Sequence, residues 1–164
     1  MRKLLLGVAG FCFAISLQAQ ELPTTAIKDL NTGKKVAFND IVEKGKVNVI
    51  SFWATWCIPC KKEIRNINAA LPTWKKEADF NYVAVSIDES KAEGIARTYG
   101  ISQGWTFPFY IDPNSDLKRS LNFQNVPYTI IVDKNGKIVF KHVGYEEGGE
   151  AEVFKKIKEL AAAK

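Results

Sequence analysis

Two cysteines separated by two residues, Cys57 and Cys60 in Trp56-Cys57-Ile58-Pro59-Cys60, follow directly on the apolar run Val47-Asn48-Val49-Ile50-Ser51-Phe52-Trp53. A strand that delivers two thiols into the first turn of a helix places one of them in the field of unpaired backbone N–H groups. That field favours thiolate over thiol and should pull the pKa of Cys57 below that of a free thiol. The chemistry such a pair supports is disulfide exchange. Cys57, expected at the surface, attacks as a thiolate and forms a mixed disulfide; Cys60, one turn inward, resolves it by attacking Cys57. Pro59 belongs in a first helical turn and limits its freedom. A purely structural bridge is the weaker reading, because so small a loop yields little chain entropy and a domain of this size needs no staple.

The elements that must position the pair follow from the apolar pattern. Val47 to Trp53 is a nearly continuous apolar run, as expected of a central strand covered on both faces, and it feeds a helix predicted to reach Leu71. Pro72 is expected to end that helix, with a second short helical piece over Thr73 to Ala78. Upstream, Thr25 to Phe38 reads as a hairpin around Asn31-Thr32-Gly33-Lys34. Downstream, Phe80 to Ile87 alternates as a second core strand, and a helix from Lys91 to Tyr99 is expected to close at Gly100. Phe107 to Ile111 forms a third strand, Ser115 to Leu121 a short helix and Tyr128 to Val132 a fourth strand. Asp133-Lys134-Asn135-Gly136 turns the chain into Lys137 to Val143, since Asn-Gly supplies the positive φ of a tight hairpin. Glu150 to Ala163 is a closing amphipathic helix. Alternating strands and helices that end in a hairpin give an α/β sandwich on a mixed sheet.

The chain of 164 residues is 46% hydrophobic and 12% aromatic, enough for one ordinary domain with a buried core. Its first segment stands apart. Arg2 and Lys3 precede the largely apolar Leu4 to Leu17, and Gln18-Ala19-Gln20 offers a small residue for cleavage, so residues 1–19 read as a secretory signal peptide and 20–164 as the mature domain. The apolar stretch is shorter than the roughly 20 residues of a membrane span, which makes a retained anchor the lesser reading. Bulky Phe11 before Cys12 argues against lipidation. Cleavage would lower the net charge from +5 to +3 and leave only Cys57 and Cys60. The basic pairs Lys34-Lys35, Lys61-Lys62, Lys75-Lys76 and Lys155-Lys156 are interleaved with acids, unlike a nucleic-acid footprint. An exported, periplasmic protein meets an oxidising environment, where a vicinal thiol pair acts as a maintained redox couple or a bridge.

Metal binding is the competing chemistry. Tetrahedral zinc needs two ligands beyond one Cys-x-x-Cys, and His142 is the one histidine in the sequence. A copper-carrying site of Cys57, Cys60 and His142 is the alternative kept open, because soft thiolates suit Cu(I). A copper-delivering metallochaperone would lose affinity on losing His142, whereas an oxidoreductase would be indifferent. Peroxidase chemistry expects Pro-x-x-x-Thr-x-x-Cys, and Trp53-Ala54-Thr55-Trp56-Cys57 lacks that spacing.

The segment Phe52-Trp53-Ala54-Thr55-Trp56-Cys57-Ile58-Pro59-Cys60-Lys61-Lys62-Glu63 strongly resembles the active-site segment of thioredoxin-fold proteins, and within them the exported TlpA/ResA-like branch. Asn125-Val126-Pro127-Tyr128-Thr129 resembles the loop where that fold carries a cis-proline facing the cysteines. The 70 positions from Cys57 to Pro127 leave room for an extra strand and helix around Lys91 to Ile111, an insertion the branch shares. The resemblance implies a thioredoxin-like three-layer sandwich with a mixed central sheet, an N-terminal hairpin and a central strand-helix insertion. It implies a thiol-disulfide oxidoreductase working as a reductant, for example in cytochrome c maturation or general thiol maintenance. No cofactor or metal is expected; cysteine-containing client proteins are, together with a membrane thiol-electron carrier to reload the site, and a monomer.

Residue roles follow from the same resemblance. Pro127 would be cis beside the sulfurs, and the backbone of Val126 would pair with an extended client segment. Trp56, Ile58, Pro59 and Val126 would form an apolar docking rim, with Trp53 either part of that rim or simply core. Ser51 stands six positions before Cys57, where cytoplasmic thioredoxins carry a buried aspartate, so the proton acceptor must lie elsewhere. Glu63, three residues after Cys60 on the same helix face, is the candidate, set against an ordinary solvated glutamate.

Overall fold

The structure is a computed structural model that describes residues 20–163; the predicted leader and Cys12 lie outside the described residues. Eight strands form one mixed sheet: β1 (Gln20–Glu21), β2 (Ala26–Asp29), β3 (Lys35–Ala37), β4 (Val47–Trp53), β5 (Phe80–Ser86), β6 (Phe109–Ile111), β7 (Tyr128–Val132) and β8 (Lys137–Val143). Four helices accompany them: α1 (Ile58–Glu77), α2 (Glu93–Ser102), α3 (Asp116–Ser120) and α4 (Glu150–Ala162). The strand order is β1-β8-β7-β4-β5-β6-β2-β3.

Strand β4 sits near the middle, parallel to β5 and antiparallel to β7, and every one of its residues is buried. This is why its sequence is nearly all apolar: both faces are covered. Parallel pairing continues from β5 to β6, with α2 as the crossover, and the N-terminal hairpin of β2 and β3 adds to β6. On one face, α1, α2 and α4 cover the sheet, linked by a 4.4 Å stack of Trp74 on Phe154 and by the Lys61 ammonium 5.1 Å over the Tyr99 ring. On the other, Phe38, Phe123 and Tyr128 pack on Phe52.

Two expected boundaries are corrected. Helix α1 does not end at Leu71 but runs unbroken through Pro72 to Glu77. Pro72 forgoes the backbone bond to the Asn68 carbonyl. Burial of Leu71 and Trp74 on either side of it, with Trp74 stacked on α4, holds the helix together across the gap. Likewise α2 does not close at Gly100. That residue is buried inside the helix, where a Cβ would lie 2.8 Å from Phe109 Cε2 and 3.0 Å from Trp105 Cε3, so glycine is there to admit the aromatic cluster. The left-handed glycine after the helix is Gly104, at φ 63°. The hairpin of β7 and β8 turns at Gly136, whose φ is 81°. Among the described residues no helix is long and apolar enough to cross a membrane.

Candidate active site

At the carboxyl end of β4 the chain makes a tight turn, Ala54 to Cys57, closed by the Cys57 N–H donating to the Ala54 carbonyl at 3.1 Å. Cys57 then caps α1: its sulfur accepts from the Cys60 N–H at 3.3 Å. Cys57 and Cys60 are joined as a disulfide with their Cα atoms 5.3 Å apart. Pro59 lies in the first turn of α1, where its missing N–H is no loss.

Cys57 is not at the surface in the way its place before a helix suggests; only 4% of it is exposed. The segment before β7 closes over it, with the Val126 carbonyl oxygen 3.7 Å from Cys57 Sγ and the Val126–Pro127 peptide bond cis. Trp56 and Ile58 are the exposed parts of the motif, at 67% and 68%, and stand on either side of Cys57 in sequence. Pro59 is exposed beside them and Val126 is half-buried. Trp53 is core, not rim: it is fully buried, with the rings of Tyr99 and Trp105 at 5.5 and 5.0 Å.

One turn along α1 from Cys60 lies Glu63, 1% exposed, so it is no solvated helix glutamate. Burial and the neighbouring negative charge of Glu150 push its carboxyl from 4.5 up to about 7, against an opposing hydrogen bond with Thr129. One of its oxygens, Oε2, has no partner among the described residues. Around it are buried polar side chains of the sheet: Ser51 and Thr129, opposite each other on β4 and β7 with their hydroxyls 3.1 Å apart, and Tyr82 of β5. Burial, and then the charge of Glu63, push the Tyr82 hydroxyl strongly upward. Glu150, at the start of α4, accepts from the Tyr145 hydroxyl at 2.8 Å, which in turn accepts from Asn66 Nδ2 at 2.7 Å, tying α4 to α1 beside Glu63.

His142 does not join the cysteines. It sits half-buried on β8 across from Thr129, its ring parallel to that of Phe140, and no group of three or more histidine, cysteine, aspartate or glutamate side chains among the described residues is placed to hold a metal. The copper reading therefore has no site to stand on. Sequence reasoning missed Glu150, Tyr145, Thr129 and Asp88, each brought close by long-range packing. Asp88 alone left a signal, as an acid just past the carboxyl end of a strand parallel to β4, where open α/β sheets build their sites.

A disulfide-bonded cysteine pair capping the helix that leaves a central strand, on this sheet order, is the architecture of thioredoxin-like thiol-disulfide oxidoreductases, and the chain is such an enzyme. It belongs to the AhpC/TSA family, whose profile matches residues 18–141. The thiol-disulfide oxidoreductase ResA of Bacillus cereus is 32% identical over 127 residues, covering 76% of this chain and 69% of that protein. ResA of Bacillus anthracis is 30% identical over 139 residues, covering 84% and 76%. Among solved structures, an uncharacterized thioredoxin-like protein from Porphyromonas gingivalis superposes with a TM-score of 0.76 at 41% identity, over 85% of this chain and 91% of that one. The thioredoxin-like α/β sandwich read from the active-site segment is thus the fold of the protein.

Proposed function

We propose that the protein is an exported reductant of disulfides in other proteins, with Cys57 as the attacking thiol and Cys60 as the resolving one. The observation that supports the exchange chemistry is the run of three groups at three-residue spacing from the start of α1: helix-capping Cys57, buried Cys60 and buried Glu63. In the reduced enzyme the Cys57 thiolate attacks one sulfur of a client disulfide and expels the other as a thiolate, which takes a proton from solvent. Cys60 gives its proton to the Glu63 carboxylate and attacks Cys57, expelling the second client sulfur as a thiolate, which takes up a proton from solvent as Glu63 returns its own. Two electrons and two protons pass to the client, and Cys57–Cys60 closes as the disulfide of the structure.

Trp56, Ile58 and Pro59 offer an apolar edge for the client, and the backbone at Val126 and Pro127 offers strand-like pairing beside the sulfurs. The leader at residues 1–19 supports a periplasmic location, with cytochrome c maturation or general thiol maintenance as the setting and a membrane thiol-electron carrier as the source of electrons. The domain is expected to act as a monomer without cofactor. Equilibrating residues 20–164 with glutathione buffers, with Cys57→Ser as the blank, tests the direction. A potential near or below about −230 mV is expected for a reductant; one above about −150 mV would make the protein a donor of disulfides instead.

A further inference from the structure

Asp88 takes no part in the chemistry above, yet its side chain is spent almost wholly on the active-site turn. It lies just past β5 and is 3% exposed. Its Oδ2 accepts from the Thr55 N–H at 2.8 Å and from the Ser86 hydroxyl at 2.6 Å, and its Oδ1 accepts from the Thr55 hydroxyl at 2.8 Å. Ser86 Oγ closes the motif by accepting from the Asp88 N–H at 3.0 Å. No ion pair accompanies the carboxyl among the described residues. A buried acid with three donors and no cation is retained at a price in desolvation, which points to what the donors belong to.

They belong to the ends of two paired strands. Trp53 and Ser86 are register partners at the last positions of β4 and β5, and the Ile87 N–H donates to the Trp53 carbonyl at 2.9 Å. The Ala54–Cys57 turn uses the Ala54 carbonyl and the Cys57 N–H for its own closure, leaving the Thr55 N–H at its corner with Asp88 as its acceptor. Thr55 is thereby gripped at two atoms, one residue before exposed Trp56 and two before Cys57. We propose that Asp88 is a positioning residue of the redox site: through Thr55 its carboxylate fixes the turn that aims Cys57 at the client disulfide and holds Trp56 at the rim. The inference rests on Cys57 being the attacking thiol and adds the group that orients it.

Three variants separate the parts of this role in the full domain. Asp88→Ala removes the grip, Asp88→Asn keeps its shape and the Thr55 N–H acceptor while deleting the charge, and Thr55→Val removes one of the two bonds at a partly exposed residue. The reduced proteins are mixed with glutathione disulfide, and the Cys57 thiol is titrated by the pH dependence of iodoacetamide alkylation. A loss of alignment at the reacting sulfur predicts that Asp88→Ala exchanges about tenfold or more slowly, with Asp88→Asn restoring most of the rate and Thr55→Val in between. With the charge gone, the alkylation profile of Asp88→Asn shifts to lower pH, since an anion near the turn opposes the thiolate. Ile157→Val, a core change in α4 away from the turn, should leave rate and profile unmoved and serves as the control for a merely weakened fold. Wild-type rates and profiles in folded Asp88→Ala and in Thr55→Val would overturn the positioning role. Exchange persisting in Cys57→Ser would instead overturn the assignment of Cys57 on which it rests.

Discussion

At the scale of single residues, the proposed exchange makes the fate of a proton on Glu63 decide how the second thiol becomes a nucleophile. The carboxyl titrates near neutral pH, where an acceptor for the Cys60 proton is most useful. Glu63→Gln is expected to slow release of the second client thiol from a preformed mixed disulfide by about 100-fold, and to abolish the rise of that step through neutral pH. Stability gives a second reading with a definite sign. Because the folded-state value is raised from 4.5 to about 7, the folded protein holds the proton longer than the unfolded chain. The associated stability is complete below the lower value and is lost as pH rises through the upper one. At about 1.4 kcal/mol per unit, the loss is on the order of 3 kcal/mol. Urea unfolding of oxidised wild type and Glu63→Gln from about pH 5 to about pH 8 should show the variant gaining on the wild type across that range; a constant gap would mean that Glu63 is not held protonated by the fold. Glu63 was legible in the sequence because it lies one helical turn from Cys60. Glu150 and Tyr82, which face it, lie 87 and 19 residues away and carry no local mark.

At the scale of elements, the two helix ends that differ from expectation share one cause: proline and glycine punctuate a sequence, and here packing overrides them. Gly100 makes this testable against a partner in the same helix. Alanine favours a helix over glycine by about 1 kcal/mol, so Gly94→Ala, with nothing within 4 Å of the added carbon, should raise the urea midpoint or leave it level. At Gly100 the carbon meets Phe109 and Trp105, which are themselves wedged against one another with ring centroids 5.4 Å apart. Overpacking there opposes the propensity gain and should leave Gly100→Ala destabilised by on the order of 1 kcal/mol net. Equal midpoints for the two variants would mean that the aromatic cluster yields freely. Where the pattern itself was strong, as in the period-two run of β5 or the Asn-Gly turn before β8, the sequence and the structure coincide to within a residue. The two-residue β1 on the sheet edge, in register with Ile138 and Lys137 of β8, was illegible because two polar residues carry no strand pattern.

At the scale of the whole molecule, the fold biases the redox couple by what it does to charge at the cysteines. The α1 amino terminus and the ammonium groups of Lys61 and Lys62 favour a thiolate, and by stabilising the reduced form they make the couple more oxidising. Burial of Cys57 and the Glu63 carboxyl behind Cys60 act the other way, because both disfavour negative charge on sulfur. In the sequence these opposing influences could not be weighed, since nothing local fixes how deeply Glu63 and Cys57 are buried. With Glu63 and Cys57 both buried and Lys62 exposed to solvent, the interior groups act through a lower dielectric than the screened surface cations, and the proposed reductant requires that they outweigh the α1 amino terminus as well. The disulfide form should then be the more stable fold. Redox and folding are linked by one cycle, in which about 30 mV in the folded pair relative to the unfolded pair corresponds to about 1.4 kcal/mol between the two folded forms. Guanidinium unfolding of the oxidised and the dithiothreitol-reduced domain at neutral pH reads that difference without any client. A higher midpoint for the oxidised protein is the outcome a reductant requires; a higher midpoint for the reduced protein would show that the helix terminus and the lysines prevail, and that electrons flow from client thiols into Cys57–Cys60.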